Sequence, residues 1–232
     1  MQKYQHIFWD LDHTLWDFEK NSSLTLQVLF EHFQLHQRGI TSFEPFRVIY
    51  EMHNETLWDA LIAGTIDRVT LRWKRMDLTL QNYNIQDLDL AHAMSEKYLE
   101  ILPTQGQLMP FAKEILEYCS SKHYAMHIIT NGFEKTQWQK MRTSKIEGFF
   151  QGVFTSENTQ SLKPHAPIFN AALNGANAKA SESIMIGDAI LADIEGAQNI
   201  GMDQIWYNYL QQQSNTKPTY EINSLSEIMN IL

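Results

Sequence analysis

The sequence is short of the features that would tie a chain to an oxidising or membrane setting. Among its 232 residues there is one cysteine, Cys119, so no intramolecular disulfide can form, which fits a reducing compartment. No run of about 18 apolar residues occurs, the length a membrane-spanning helix requires. In the opening stretch MQKYQHIFWDLDHTLW a short apolar run is broken by Asp10 and Asp12, unlike a secretory leader. The expectation is a cytoplasmic protein without a membrane partner. Positive charge is also scarce. Eighteen Lys and Arg against 27 Asp and Glu leave a net charge of −9, which argues against polymeric nucleic acid or anionic lipid as the main partner, since both need clustered positive charge. A small anionic ligand remains compatible, because one site can be positive on an acidic protein. Internal repeats and low-complexity tracts are absent. What is present is ordinary globular composition, 44% hydrophobic and 19% charged, in a chain long enough to bury roughly 70% of its unfolded surface.

The texture of the chain changes twice. Gln5 to Asp10 is a compact apolar and aromatic run stopped by acid, which reads as a buried strand. From about Asp17 to Pro103 helical spacing takes over, with Leu24, Val28 and Leu35 beside Phe30 and Phe33, then Leu57, Leu61 and Ile62, then Leu71, Met76 and Leu80. Beyond Pro103 the rhythm becomes strand, helix, strand. Apolar runs at 125–129, 152–154, 183–186 and 204–207 alternate with helical patterns near 111–120, 134–145, 167–173 and 190–200, and one more helix is expected at the C-terminus. Short apolar strands alternating with helices imply a parallel sheet covered on both faces. The expected fold is therefore α/β, a doubly wound parallel sheet with an inserted helical cap. The core is expected at 1–16 and 104–232 and the cap at 17–103.

In such a sheet, ligands bind beyond the carboxyl ends of the strands. Strand one ends in Asp10-Leu11-Asp12-His13-Thr14, a second strand in Thr130-Asn131-Gly132, and a third in Gly187-Asp188 with Asp193 one helical turn later, while Lys163-Pro164 lies in the loop after 152–154. Acids crowded in this way need neutralising, and a hard cation such as Mg²⁺ with its preference for oxygen ligands does so. Thr130 and the main-chain N–H groups of Asn131 and Gly132 suit phosphate oxygens, and Lys163 adds a compact positive charge. A carboxylate beside a phosphate can attack it, and a second carboxylate can move the proton. These are parts for phosphoryl transfer.

The four segments resemble, in order, the four motifs of the haloacid dehalogenase superfamily, and the likeness runs from Phe8 to about Ile205. The resemblance implies Asp10 as nucleophile and Asp12 as general acid/base. It implies Mg²⁺ held by Asp10, the main-chain carbonyl of Asp12 and Asp188, with Asp193 orienting that set. Thr130 would bind the phosphoryl group, Lys163 would balance its charge, and the helical insertion would be the family's C1 cap. Family members commonly carry glycine where this chain has His13, so that histidine either alters the turn or reaches the mouth of the site, and Phe133 is a second candidate for touching substrate. Asp12 argues for phosphate esters over carbon–halogen bonds, because the family's dehalogenases lack this acid. Trp58, Gly64-Thr65-Ile66 and Ile129–Phe133 are similar to the bacterial pyrimidine 5′-nucleotidase branch. The expected activity is hydrolysis of a small phosphomonoester, (deoxy)pyrimidine nucleoside monophosphates first. A phosphomutase of the same superfamily and a phospho-acceptor signalling module stay open as alternatives. His32 and His36 read as plain helix surface, and Cys119 as packing.

Overall fold

The structure is a computed structural model that describes residues 3–232. Six strands form one sheet in the order β3-β2-β1-β4-β5-β6: β1 (His6–Trp9), β2 (Ala125–Thr130), β3 (Gly152–Thr155), β4 (Ser183–Gly187), β5 (Asp203–Tyr207) and β6 (Tyr220–Ile222). Every pairing is parallel, and β1 lies centrally, with His6 in register with Ala125 on one side and Ser183 on the other. Parallel strands are covered on both faces, which is why these segments read as continuous apolar runs. Phe8, Ile129, Met185, Ile168, Phe169, Ala172, Ala197 and Met202 make one buried cluster. Each large apolar side chain there contributes roughly 1.5–3 kcal/mol.

The chain divides into two compact units, residues 1–18 with 106–232 and residues 19–105. In the first unit the segments on either side of the insertion are joined. Asp17 N donates to Gln107 O (3.1 Å) and Met109 N to Leu15 O (2.9 Å). The second unit is helical and holds nearly all of α1 (Phe18–His32), with α2 (Phe43–Ile62), α3 (Arg68–Gln81) and α4 (Leu88–Ile101). Asp67 and Asp87 start α3 and α4 by accepting the N–H of Thr70 (2.7 Å) and Leu90 (2.9 Å), ordinary N-cap chemistry. The α/β sheet with inserted helices is the fold expected from the sequence.

Several local expectations are corrected. On α1 the buried face carries Asn21, Ser22, Thr25, Leu26, Leu29 and Phe30, whereas Leu24 and Val28 are exposed. The reason is a polar interior in this unit. Ser22 Oγ lies 2.8 Å from Tyr98 Oη, and buried Arg75 donates to Asn54 Oδ1 (2.8 Å) with its guanidinium 4.9 Å from the Tyr98 ring centre. Residues 190–200 are not one α-helix. Ile190–Glu195 is a π-helical turn, followed by a short α turn at Gly196–Gln198. The C-terminal element is 3₁₀ (Leu225–Asn230), and the edge strand β6 was not expected at all. Among the described residues, no helix is long and apolar enough to cross a membrane.

Candidate active site

All the candidate segments lie at the carboxyl ends of strands, and their side chains converge. Asp10 follows β1, with its N–H on Ile186 O (2.8 Å). The loop beyond it turns back at once, since Leu15 N and Trp16 N both donate to Leu11 O (2.9 and 2.8 Å). His13 sits at φ +64°, the left-handed conformation that glycine adopts freely. The chain therefore keeps the turn with a histidine in it, and the imidazole packs on Phe18 with ring centres 4.9 Å apart.

Lys163 is the centre of charge. It is 2% exposed, and its ammonium donates to Asp10 Oδ1 (2.5 Å), Asp193 Oδ1 (2.6 Å) and Ile129 O (2.9 Å). Those three bonds use all three ammonium hydrogens, so Lys163 reaches a bound anion through its field and not through a direct bond. Burial opposes the charge on Lys163, but Asp10 and Asp193 outweigh it and hold the ammonium above the ordinary lysine value. The carboxyl of Asp10 is pushed up to about 7, burial outweighing the pull of Lys163. Asp188 is pushed up to about 6, again by burial first, with Asp10 adding repulsion.

Asp10, Asp188 and Asp193 each offer an oxygen within 4.8 Å of the others. Thr14 Oγ1 donates to Asp188 Oδ1 (3.1 Å) and Trp206 Nε1 to Asp188 O (2.9 Å), fixing that residue in place. Asp193 reaches the site because the wide π turn lets Oδ2 accept the N–H of Ala189 (3.1 Å). An all-oxygen set of desolvated acids with only one buried ammonium between them suits a hard divalent cation. Asp193 has its oxygens on Lys163 and Ala189, and the carboxylate of Asp12 points elsewhere, so Asp10 and Asp188 are the acids left to a metal.

Asp12 faces α6 (Glu134–Thr143), the helix after β2, as α5 (Ala112–Ser121) is the helix before it. Its Oδ1 accepts from Lys140 Nζ (2.6 Å) and its Oδ2 from Gln137 Nε2 (2.8 Å). Thr130 Oγ1 accepts from the same Gln137 Nε2 (2.7 Å) and from Gly132 N (3.1 Å). Asn131 bolts two loops together, with Lys163 N on its Oδ1 (2.7 Å) and its Nδ2 on Lys163 O (3.0 Å), so its side chain is engaged by protein. The first N–H of α6, Glu134 N, is taken by Glu157 Oε2 (2.7 Å). The loop therefore keeps fewer open donors than a bare helix start. Phe133 is buried. Gln137 and Lys140 escaped the sequence reading, because polar residues on a helix read as solvent-facing. Their spacing of three, on the face shared with Met141, was the available signal. Cys119 is buried, with its thiol pushed up to about 12 by burial, which agrees with packing and not with nucleophilic use.

The doubly wound sheet thus carries a lysine-compensated aspartate at the end of its central strand. The chain belongs to the haloacid dehalogenase-like hydrolases, whose family profile matches residues 7–207. It is similar to the pyrimidine 5′-nucleotidase PynA of Streptococcus pneumoniae, 29% identical over 99% of this chain and 95% of that one. It is also similar to the glyceraldehyde 3-phosphate phosphatase of Pyrococcus furiosus, 28% identical over 100% and 94%. The magnesium-bound crystal structure of the putative HAD-hydrolase YfnB from Bacillus subtilis superposes with a TM-score of 0.88 at 29% identity, covering 99% of each chain.

Proposed function

We propose that this hydrolase is a Mg²⁺-dependent phosphatase that cleaves small phosphomonoesters through an aspartyl-phosphate on Asp10, with (deoxy)pyrimidine nucleoside monophosphates as its first substrates. The observation that carries the reading is the pairing of Asp10 Oδ1 with buried Lys163 (2.5 Å), which leaves the other carboxylate oxygen for phosphorus. The full-length likeness to a pyrimidine 5′-nucleotidase supports the substrate. The equally full-length likeness to a glyceraldehyde 3-phosphate phosphatase supports a second reading, a three-carbon sugar phosphate. The helical unit, 17–103 in our reading, is the cap that selects among them.

Asp10 attacks phosphorus, and the bond from phosphorus to the ester oxygen breaks. Asp12 delivers a proton to that oxygen as it leaves. Asp12, now a carboxylate, takes a proton from water as the water attacks the phospho-Asp10. Inorganic phosphate leaves and both carboxyl groups return to their starting states. Thr130 and the Asn131 main-chain N–H hold phosphoryl oxygens, while the Gly132 N–H, expected to join them, is spent on Thr130 Oγ1, and Lys163 offsets negative charge on Asp10 and on the phosphoryl group. Mg²⁺, held by Asp10, the carbonyl of Asp12 and Asp188 with Asp193 in support, supplies charge neutralisation when bound. Phe133 and His13 are the side chains we assign to the substrate's edge.

Phosphate release from a panel of nucleotides and sugar phosphates, in Mg²⁺ and in EDTA, tests the reading. Release that needs Mg²⁺, disappears in Asp10→Asn and favours pyrimidine monophosphates is expected. Even release across the panel overturns the nucleotide preference, and release unaffected by Asp10→Asn overturns the mechanism.

A further inference from the structure

One face of α6 carries two buried polar side chains that the four motifs do not account for. Gln137 is 0% and Lys140 2% exposed. Gln137 Nε2 has two hydrogens, and one goes to Asp12 Oδ2 (2.8 Å) while the other goes to Thr130 Oγ1 (2.7 Å). Lys140 Nζ holds the other Asp12 oxygen at 2.6 Å and stands 4.3 Å from the Trp16 ring centre and 5.5 Å from that of Phe18, an aromatic seat for a cation. A single helix face thus ties the segment after β1 to the segment after β2.

The polarity of this chain of bonds matters more than its length. A hydroxyl oxygen has two acceptor positions. Thr130 Oγ1 fills both, with Gln137 Nε2 and with Gly132 N at 3.1 Å. Its own hydrogen is therefore left to donate. The Gln137 amide is held in the one orientation that suits both neighbours, because turned over it would set Oε1 against the carboxylate of Asp12. The room for it is built in, since a β-carbon on residue 132 would overlap Gln137 Cδ. The arrangement also carries a structural penalty. Gln137 Oε1 is buried without a hydrogen-bond partner among the described residues, and a buried acceptor left unmade weakens a fold. A side chain chosen for stability would not be placed so.

We infer that Gln137 and Lys140 are positioning residues for hydrolysis: Lys140 and Gln137 together fix the carboxylate of Asp12 for proton transfer, and Gln137 turns the hydroxyl of Thr130 into a donor for the phosphoryl group. The inference rests on the phosphatase reading above and assigns work to residues outside its motifs.

The test uses Gln137→Met, Lys140→Met and Lys140→Arg with two substrates in Mg²⁺: an alkyl phosphate, whose leaving oxygen needs a proton, and p-nitrophenyl phosphate, whose leaving group needs none. kcat/KM covers the steps up to loss of the leaving group. In Lys140→Met it should fall at least about 30-fold on the alkyl ester and less than about 5-fold on the nitrophenyl ester, within the range of general acid catalysis. Lys140→Arg should restore most of the difference. Gln137→Met should lower kcat about 30-fold or more on both esters, because it also releases Thr130, while its urea midpoint stays level or rises. Equal losses on both esters in Lys140→Met, or a lowered urea midpoint that accounts for the loss in Gln137→Met, would make these residues structural and overturn the inference. Unchanged kinetics in an active enzyme would overturn it as well. A wild type inert on both esters would sink the phosphatase reading itself, a different failure.

Discussion

Replacing Lys163 with methionine isolates the energetics of the buried charge cluster. The ammonium is 2% exposed and holds Asp10 at 2.5 Å and Asp193 at 2.6 Å. Methionine keeps most of the volume and removes the charge, so two buried carboxylates lose their partner. Breaking a buried ion pair from one side costs about 3–5 kcal/mol. With an unfolding slope of about 3 kcal/mol per molar urea, the midpoint should drop by about 1–1.7 M in EDTA at pH 8.5. The penalty should shrink at pH 5. The carboxyl of Asp10 already stands at about 7 because of its burial, and removing the ammonium drives it higher. Asp10 is then protonated at pH 5, and Asp193, whose carboxyl burial also pushes up, moves the same way, so less bare charge is left to strand. Adding Asp10→Asn to Lys163→Met should recover part of the loss at pH 8.5. Urea unfolding followed by tryptophan fluorescence reads each variant against the wild type at both pH values. A loss below about 1 kcal/mol at pH 8.5, or one that does not change between the two pH values, would refute the claim that Lys163 neutralises this cluster.

Three further outcomes follow from single contacts. At Gly187 a β-carbon would overlap the carboxylate of Asp193, so Gly187→Ala should push Asp193 off Lys163 and cut phosphate release at least about tenfold in steady-state assays. His127 is buried beside His6 and its imidazole is pushed down to about 4, chiefly by burial. The unfolded chain therefore binds more protons between pH 6.5 and 4, and the stabilisation present above pH 6.5 is lost as pH falls through that window, by at most about 3 kcal/mol. His127→Leu should flatten the slope of stability against pH there, seen in urea curves at several pH values. In the helical unit, Asn54→Leu strands the Arg75 guanidinium that it accepts from at 2.8 Å and should destabilise by about 1–3 kcal/mol. Arg75→Met removes the buried charge and should cost less than Asn54→Leu, which the same unfolding measurement would decide.

The sheet was legible because its strands are buried on both faces. Ile7–Trp9 and Ile184–Ile186 are unbroken apolar stretches followed at once by Asp10 and Gly187, and in a parallel sheet those ends share one edge. Asp10, Thr130, Lys163 and Asp188 could therefore be gathered from four distant segments before any coordinates. What escaped has physical causes of its own. The three-residue edge strand Tyr220–Ile222 pairs on one side only and leaves no apolar run. Leu24 and Val28 have helical spacing, yet Ser22 and Thr25 turn inward because Tyr98 and the Asn21 carbonyl accept or share their hydroxyls. Hydropathy cannot see a face buried through hydrogen bonds. The same blindness hid Gln137 and Lys140. The π turn was hidden for another reason: Ile194 N reaches Ala189 O five residues back, a choice made by the tertiary position of Asp193 and not by local propensity.

The place of β1 in the sheet has a consequence for how the chain is made. His6–Trp9 is synthesised before both of its neighbours, Ala125–Ile128 in β2 and Ser183–Ile186 in β4. At about 5–20 residues per second, the apolar strand waits on the order of ten seconds or more for its second neighbour to emerge from the ribosome. During that wait the segment 19–105, whose contacts are close in sequence, has its partners at hand, whereas β1 has no strand to pair with until β2 emerges and only one until β4 does. Synthesis thus delivers Asp10 before the residues that surround it. Slowing elongation between residues 106 and 183 should lengthen the period in which HIFW is open to a chaperone or to another nascent chain.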